Sequence, residues 1–264
     1  MTSDPLRVTV FGLGEAGSVI AADLAKTGSE VHAYDPAPVP TPEGVIRHNA
    51  PGRAVDGSEM VLAITAAADA EQAMTQALAE IEQGTIYADL STAPPALKVV
   101  LSETAARHDL DSVDVALMGT VPGRGLATPS LASGPGAARY AAAINALGGC
   151  VEAIGKRPGD AAARKLLRSI VTKGLTALLV EAMEAAKKRG DTEWLWQHLV
   201  EFISDADESL LDRFIAGTFQ HVDRRIIEME SAQDLLESLA VASPMTTATV
   251  ESLQRIRSDG MSIR

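Results

Sequence analysis

The sequence predicts an α/β protein, with a doubly wound, mostly parallel sheet in the N-terminal part and an all-α C-terminal part. Three observations carry this. Short apolar runs alternate with helical stretches through the first half, the order that builds a parallel sheet through βαβ units. The alternation stops at Pro158-Gly159, and from Asp160 to Arg189 there is no proline and one glycine, Gly174, in a stretch dominated by Ala, Leu, Lys and Glu. At 264 residues, 46% hydrophobic and 22% charged, the chain is long enough for two domains with their own cores. The boundary is expected near Arg157, giving domains 1–157 and 158–264.

In chain order, Arg7-Val-Thr-Val-Phe-Gly reads as a buried strand, followed by a helix from about Ala16 to Thr27. Glu30-Val-His-Ala-Tyr-Asp is a second strand, and Pro36 to Pro42 is a stiff turn behind it. The runs Met60–Thr65, Thr85–Leu90 and Ser112–Met118 are further strands, with the Ala-rich segments Asp69–Glu82 and Ala96–His108 as helices between them. The long helix Asp160–Arg189 ends at Gly190. Shorter helices follow at about Thr192–Ile203, Ala206–Ala216, Gln220–Leu239 and Pro244–Ser258, the last with Ser243 as N-cap and Pro244 in its first turn. No strand signal appears beyond Val151.

Composition narrows the function. A net charge of −12 opposes non-specific attraction to nucleic acid or anionic membranes, and no run approaches the roughly 18 apolar residues of a membrane span. Met1 to Arg7 has no apolar signal region, so a cytoplasmic protein is expected. Cys150 is the single cysteine and is expected to be a small buried residue. The five histidines lack metal-ligand spacing, so no metal site is expected.

Gly12-Leu13-Gly14-Glu15-Ala16-Gly17 places Gly-x-Gly-x-x-Gly where the first strand turns into its helix. Gly12 permits the tight turn, Gly14 lets backbone amides approach a diphosphate, and Gly17 lets the helix pack on the strand. The helix N-terminus then faces the diphosphate with unpaired amides. Asp35 ends the second strand near the offset of about 20 residues at which an acid accepts the ribose hydroxyls. A Rossmann-like domain binding NAD is therefore expected. NADP is less favoured, because the Asp35 carboxylate repels a 2′-phosphate and no arginine follows closely; Arg47 and Arg53 are the nearest.

These residues resemble the 6-phosphogluconate/β-hydroxyacid dehydrogenase superfamily. Its Gly-Leu-Gly-x-Met-Gly loop is similar to residues 12–17, with Ala16 for Met; its Asp-x-Ser-Thr-x-x-Pro segment is similar to Asp89-Leu90-Ser91-Thr92-Ala93-Pro94; and its lysine-bearing interdomain helix is similar to the helix with Lys165. The loop Asp114-Val115-Ala116-Leu117-Met118-Gly119-Thr120 departs from the family's Asp-Ala-Pro-Val-Ser-Gly-Gly, and Ser169 stands where the family carries Asn. The stretch from Ala116 to Gly134, with Thr172–Thr176 and His221–Met229, resembles a branch whose phosphogluconate-dehydrogenase-like C-terminal domain has no assigned function. The resemblance implies hydride transfer between NAD(P) and a small, anionic hydroxy acid, with Lys165 as general acid/base and a homodimer as the assembly. It also implies cofactor contacts from Thr65, Ser91 and Thr92, and substrate contacts from Gly119 and Thr120.

The helix itself supports a binding role. Ser169, Thr172 and Thr176 fall on the stripe of Lys165, with Arg168 and Lys173 beside it. Between Asp160 and Glu181 there are four basic residues and no acidic one, whereas a solvated face carries mixed charges. A lysine ammonium beside a carbonyl protonates the developing alkoxide, Ser169 or Thr172 positions a hydroxyl, and Arg168 or Lys173 holds an acidic group. His221, Arg225 and Glu228 share a face of a later helix, either as cleft residues or as a surface ion-pair set. Two other readings stay open: an imine reductase on the same framework, and a non-catalytic NAD-binding module.

Overall fold

The structure, a computed structural model, describes residues 5–259. Contacts divide the chain into two compact units, Met1–Arg168 and Ser169–Arg264. The division falls inside the long helix, past the change in sequence character at Arg157.

Among its described residues the first unit holds eight strands: β1 (Arg7–Phe11), β2 (Glu30–Tyr34), β3 (Val45–His48), β4 (Met60–Ala63), β5 (Ile86–Asp89), β6 (Asp111–Leu117), β7 (Ser130–Ser133) and β8 (Val151–Gly155). They form one sheet in the order β3-β2-β1-β4-β5-β6-β7-β8. All pairs are parallel except β6 with β7, which is antiparallel. The helices of this unit are α1 (Glu15–Lys26), α2 (Pro51–Val55), α3 (Ala70–Leu78), α4 (Pro95–Ala106), α5 (Ala137–Ala146) and the start of α6 (Asp160–Arg189).

Both faces of the sheet are covered, so its central strands read as continuous apolar runs. Val8 and Val10 of β1, Met60 and Leu62 of β4, and Ile86 and Ala88 of β5 pack on one face with Ile20 and Leu24 of α1. Val61 and Ala63 of β4 and Tyr87 of β5 point to the other face, against Met74 of α3 and Leu101 of α4. This two-sided burial fixes where β1 ends and α1 begins.

The second unit contains the rest of α6, followed by α7 (Thr192–Ser204), α8 (Glu208–Gln220), α9 (Val222–Ser238) and α10 (Pro244–Asp259). Its buried polar anchor is Glu181 on α6. The Glu181 carboxylate accepts the amides of Met245 (2.8 Å) and Thr246 (2.9 Å) and the Thr246 hydroxyl, which caps α10. Capping there thus involves a glutamate distant in sequence as well as the expected Ser243-Pro244 start.

The expected strands are all present, and the long helix has the expected limits. The sequence reading missed β3, β7, β8, α2 and α5. Edge strand β3 is only partly buried, β7 has a single large apolar residue (Ser-Leu-Ala-Ser) and no β-branched one, and β8 is largely exposed, so none carries a strong apolar signal. Cys150 is exposed rather than buried; the turn before β8 uses its backbone, whose carbonyl accepts the Ser130 amide at 2.9 Å. Among the described residues, no helix is long and apolar enough to cross a membrane.

Burial alone would raise the Glu181 pKa, but the bonds from Thr246 and the Met245 amide outweigh it and hold the carboxyl below its ordinary value of 4.5. A carboxylate with a depressed folded-state pKa stabilises above its unfolded value, and that stabilisation is lost as pH falls through the folded value. Glu181→Ala is therefore expected to cost roughly 2–3 kcal/mol in urea unfolding at pH 7. The gap from wild type should close as pH drops below 4.5; a gap independent of pH would contradict this.

Candidate dinucleotide cleft

Strand order reverses beside β1, and the carboxyl ends of β1 and β4 open onto a cleft of about 460 Å³. That volume lies within the range of roughly 300–1,000 Å³ typical of small-molecule sites, and the crevice at a switch point is where open α/β sheets bind ligands. Gly12, Gly14, Asp35 and Thr65, four residues singled out from the sequence, line it together.

The three glycines have different reasons. Gly12 has φ +91°, and a Cβ there would lie 2.4 Å from the Ile64 carbonyl oxygen. At Gly17 a Cβ would lie 1.9 Å from the Gly12 carbonyl oxygen, so α1 can approach the turn only without a side chain. At Gly14 the φ is −65°, and among the described residues an added Cβ meets nothing within 4 Å beyond its own chain neighbours. Folding imposes no glycine at Gly14; a side chain there would instead cover the first turn of α1, whose N-cap Gly14 supplies no side-chain bond. Open amides with a positive dipole end suit a diphosphate. The Thr65 hydroxyl, buried without a hydrogen-bond partner, is a further polar group at the cleft.

Asp35 is fixed at the cleft wall. One carboxylate oxygen accepts the Leu13 amide (2.7 Å) and the other the Ala37 amide (2.8 Å). Each oxygen keeps a lone pair for a ribose hydroxyl. Arg47 of β3 donates to the carbonyls of Asp35 (2.9 Å), Ala37 and Val39, so its guanidinium braces the proline-rich turn from behind.

The remaining sequence-derived residues lie elsewhere. Leu13 packs its side chain into the core, Ala16 is half-buried and Glu15 is exposed at the start of α1. Ser91 is buried beyond β5, with its hydroxyl donated to Asp89 Oδ2 at 3.0 Å, and Thr92 is exposed next to it. Neither lines the cleft. Gly119 and Thr120 are exposed in the loop after β6. Lys165 is half-buried on α6 in the first unit; on the continuation of that helix in the second unit, Ser169 and Thr172 are half-buried and Lys173 is exposed.

Two groups were missed. Gln72 and Gln76 of α3 reach the cleft; as polar residues one turn apart on an Ala-rich helix, they were visible. Lys98 is 2% exposed and shares the stripe of Leu101, Ser102 and Ala105. A lysine on a buried stripe was the available signal.

Residues 7–155 match the model of the NAD-binding domain of 6-phosphogluconate dehydrogenase. The chain belongs to this family. It belongs to the branch whose C-terminal part, here residues 186–256, matches a domain of unknown function (DUF1932). Among solved structures, a conserved protein of unknown function described as similar to 3-hydroxyacid dehydrogenases is 27% identical (TM-score 0.61), covering 97% of this chain and 100% of its own. An imine reductase from Myxococcus stipitatus, solved as a variant with NAD+, gives TM-score 0.82 at 19% identity, covering 97% of this chain and 95% of that one; it has also been solved with NADP+ (TM-score 0.80, 17% identity, 96% and 95% covered). An uncharacterized 28.5 kDa protein from Methanothermus fervidus is 35% identical over 79 residues, which is 30% of this chain and 32% of that relative's length. The family member described here therefore has an NAD(P)-binding dehydrogenase/reductase fold.

The glycines give a paired test. Gly14→Val should weaken NADH binding at least tenfold, read by NADH fluorescence, while lowering Tm by no more than about 3 °C. Gly17→Val should lose both binding and thermal stability. Equal losses of stability in the two variants would contradict the ligand-facing role of Gly14.

Proposed function

We propose that this chain is an NAD-dependent oxidoreductase acting on the carbinol or carbonyl carbon of a small, anionic hydroxy acid, with Lys165 as general acid/base. The observation that carries the reading is the switch-point cleft, whose wall combines open α1 amides with the fixed Asp35 carboxylate. The amides of α1 would hold the diphosphate, Asp35 the adenosine ribose, and Ser91 and Thr92 the nicotinamide end. When bound, the nicotinamide donates or accepts the hydride. Lys165 gives its proton to the alkoxide oxygen in reduction and takes it back in oxidation. Gly119, Thr120, Ser169 and Thr172 orient the substrate, and Lys173 offers a cation to its acidic group.

Two observations favour NAD over NADP. Asp35 presents negative charge where a 2′-phosphate would sit, and Arg47 spends its guanidinium on three backbone carbonyls. We place the protein in the cytosol, with no nucleic-acid or membrane partner. We also propose a homodimer through the helical unit, since Trp194 (66%), Leu211 (61%) and Ile227 (64%) are heavily exposed there and such apolar surface marks an interaction site. Sedimentation should then give twice the chain mass of 27.6 kDa, and a monomer at micromolar concentration would refute it.

The likeness to imine reductases supports a second reading, reduction of a C=N bond. A panel of 2- and 3-hydroxy acids, sugar acids, sulfonates, phosphonates and cyclic imines, followed by NADH and NADPH absorbance, separates the two. Turnover of a hydroxy acid with NAD is expected. Lys165→Ala should lose about 10²–10⁴-fold in kcat at unchanged NADH affinity, and Asp35→Ala should erode the preference for NADH. Unchanged turnover in Lys165→Ala removes it from the mechanism; NADH binding without any turnover favours a non-catalytic module.

A further inference from the structure

We propose that Lys98 is a positioning residue, tying the Ser91–Thr92 loop to the first turn of the helix that carries Lys165. This rests on the reading of Lys165 given above. The tie is made of direct bonds within the first unit. From the buried stripe of α4, Lys98 Nζ donates to the Asp89 carbonyl (2.8 Å) and the Ser91 carbonyl (3.0 Å). It also pairs with Asp89 Oδ2 at 2.9 Å and Asp114 Oδ1 at 3.3 Å. Asp89 in turn accepts the Ser91 amide (3.1 Å) and hydroxyl (3.0 Å), so the segment beyond β5 is held from both its carbonyl and its amide side.

On the other side, Asp114 Oδ2 accepts the Ala162 amide at 2.9 Å and the Ser133 hydroxyl at 3.2 Å, and Ser133 Oγ accepts the Ala161 amide at 3.0 Å. A carboxylate from β6 and a hydroxyl from β7 thus cap α6. Ala161 and Ala162, both buried, lie four and three residues before Lys165, on its own side of the helix. Any shift of the cap moves the Lys165 backbone with it.

Stability does not account for these charges. Lys98, Asp89 and Asp114 are all at most 4% exposed, and burying ions costs several kcal/mol each, so apolar residues of the same volume are often equally stable or better. What apolar residues do not provide is direction. The Lys98 ammonium donates hydrogen bonds to the carbonyls of Asp89 and Ser91 and pairs by charge with the Asp89 and Asp114 carboxylates, which gathers both segments around one point. Turnover is sensitive to such placement, since a displacement of about 1 Å can cost roughly 10²-fold.

The test uses the full chain with Lys98→Met, a substitution of similar length without charge, and Asp114→Asn as a second variant. Hydrogen exchange at the Ser91 and Ala162 amides is expected to speed up at least tenfold in Lys98→Met, with a lowered Tm, because Asp89 and Asp114 lose their counter-ion, but a folded chain and an NADH Kd close to wild type. With the substrate that wild type turns over, kcat should fall 10- to 100-fold at unchanged NADH affinity. Wild-type exchange at both amides, or exchange that accelerates throughout the sheet, overturns the proposal. So does unfolding of both variants, because the cluster would then support the sheet and not the site. The exchange arm needs no substrate, so its failure sinks the tie, whereas unchanged turnover in Lys165→Ala sinks the reading beneath it.

Discussion

The contact between two backbones at the β1–α1 turn governs much of this molecule. Gly12 and Gly17 let a carbonyl and a helix approach to distances that no side chain tolerates. That approach sets α1 against the sheet with its N-terminal amides aimed over the carboxyl edge. The sheet supplies the counterpart: Asp35 at the end of β2 is locked to the same turn through the Leu13 amide. Acid and amides are therefore positioned by one local structure.

Charge is distributed to match. The chain is acidic as a whole, yet four basic residues and no acidic one lie between Asp160 and Glu181, and two buried carboxylates serve as helix caps, Asp114 at α6 and Glu181 at α10. Each accepts helix amides that have no acceptor within their own helix. The same physical device, a carboxylate on open amides, thus serves folding at α6 and α10, while the amides of α1 are left open at the cleft.

Much of this was legible beforehand. The strands that became β1, β2, β4, β5 and β6 are buried on both faces, so their apolar runs announce them, and the glycine spacing with Asp35 located the cleft. Elements at the sheet edge were not legible, because β3 is only partly buried, β8 exposes more than half of its residues and β7 carries a serine at each end. Lys98 shows a different limit. A lysine usually marks solvent, and only the two aspartates brought to it by β5 and β6 make its burial tolerable. That pairing depends on strand neighbours 9 and 16 residues away in sequence, which periodicity does not reveal. The Ser91 hydroxyl donates to this same cluster through Asp89 Oδ2.

Nucleotide binding here depends on the α1 amides receiving a diphosphate, and a crystal structure of the full chain with NADH tests this most directly. The predicted result places diphosphate oxygens within hydrogen-bond distance of the amides at the start of α1 and the adenosine ribose on Asp35. A nucleotide bound elsewhere, with those amides facing solvent at saturating NADH, would contradict it.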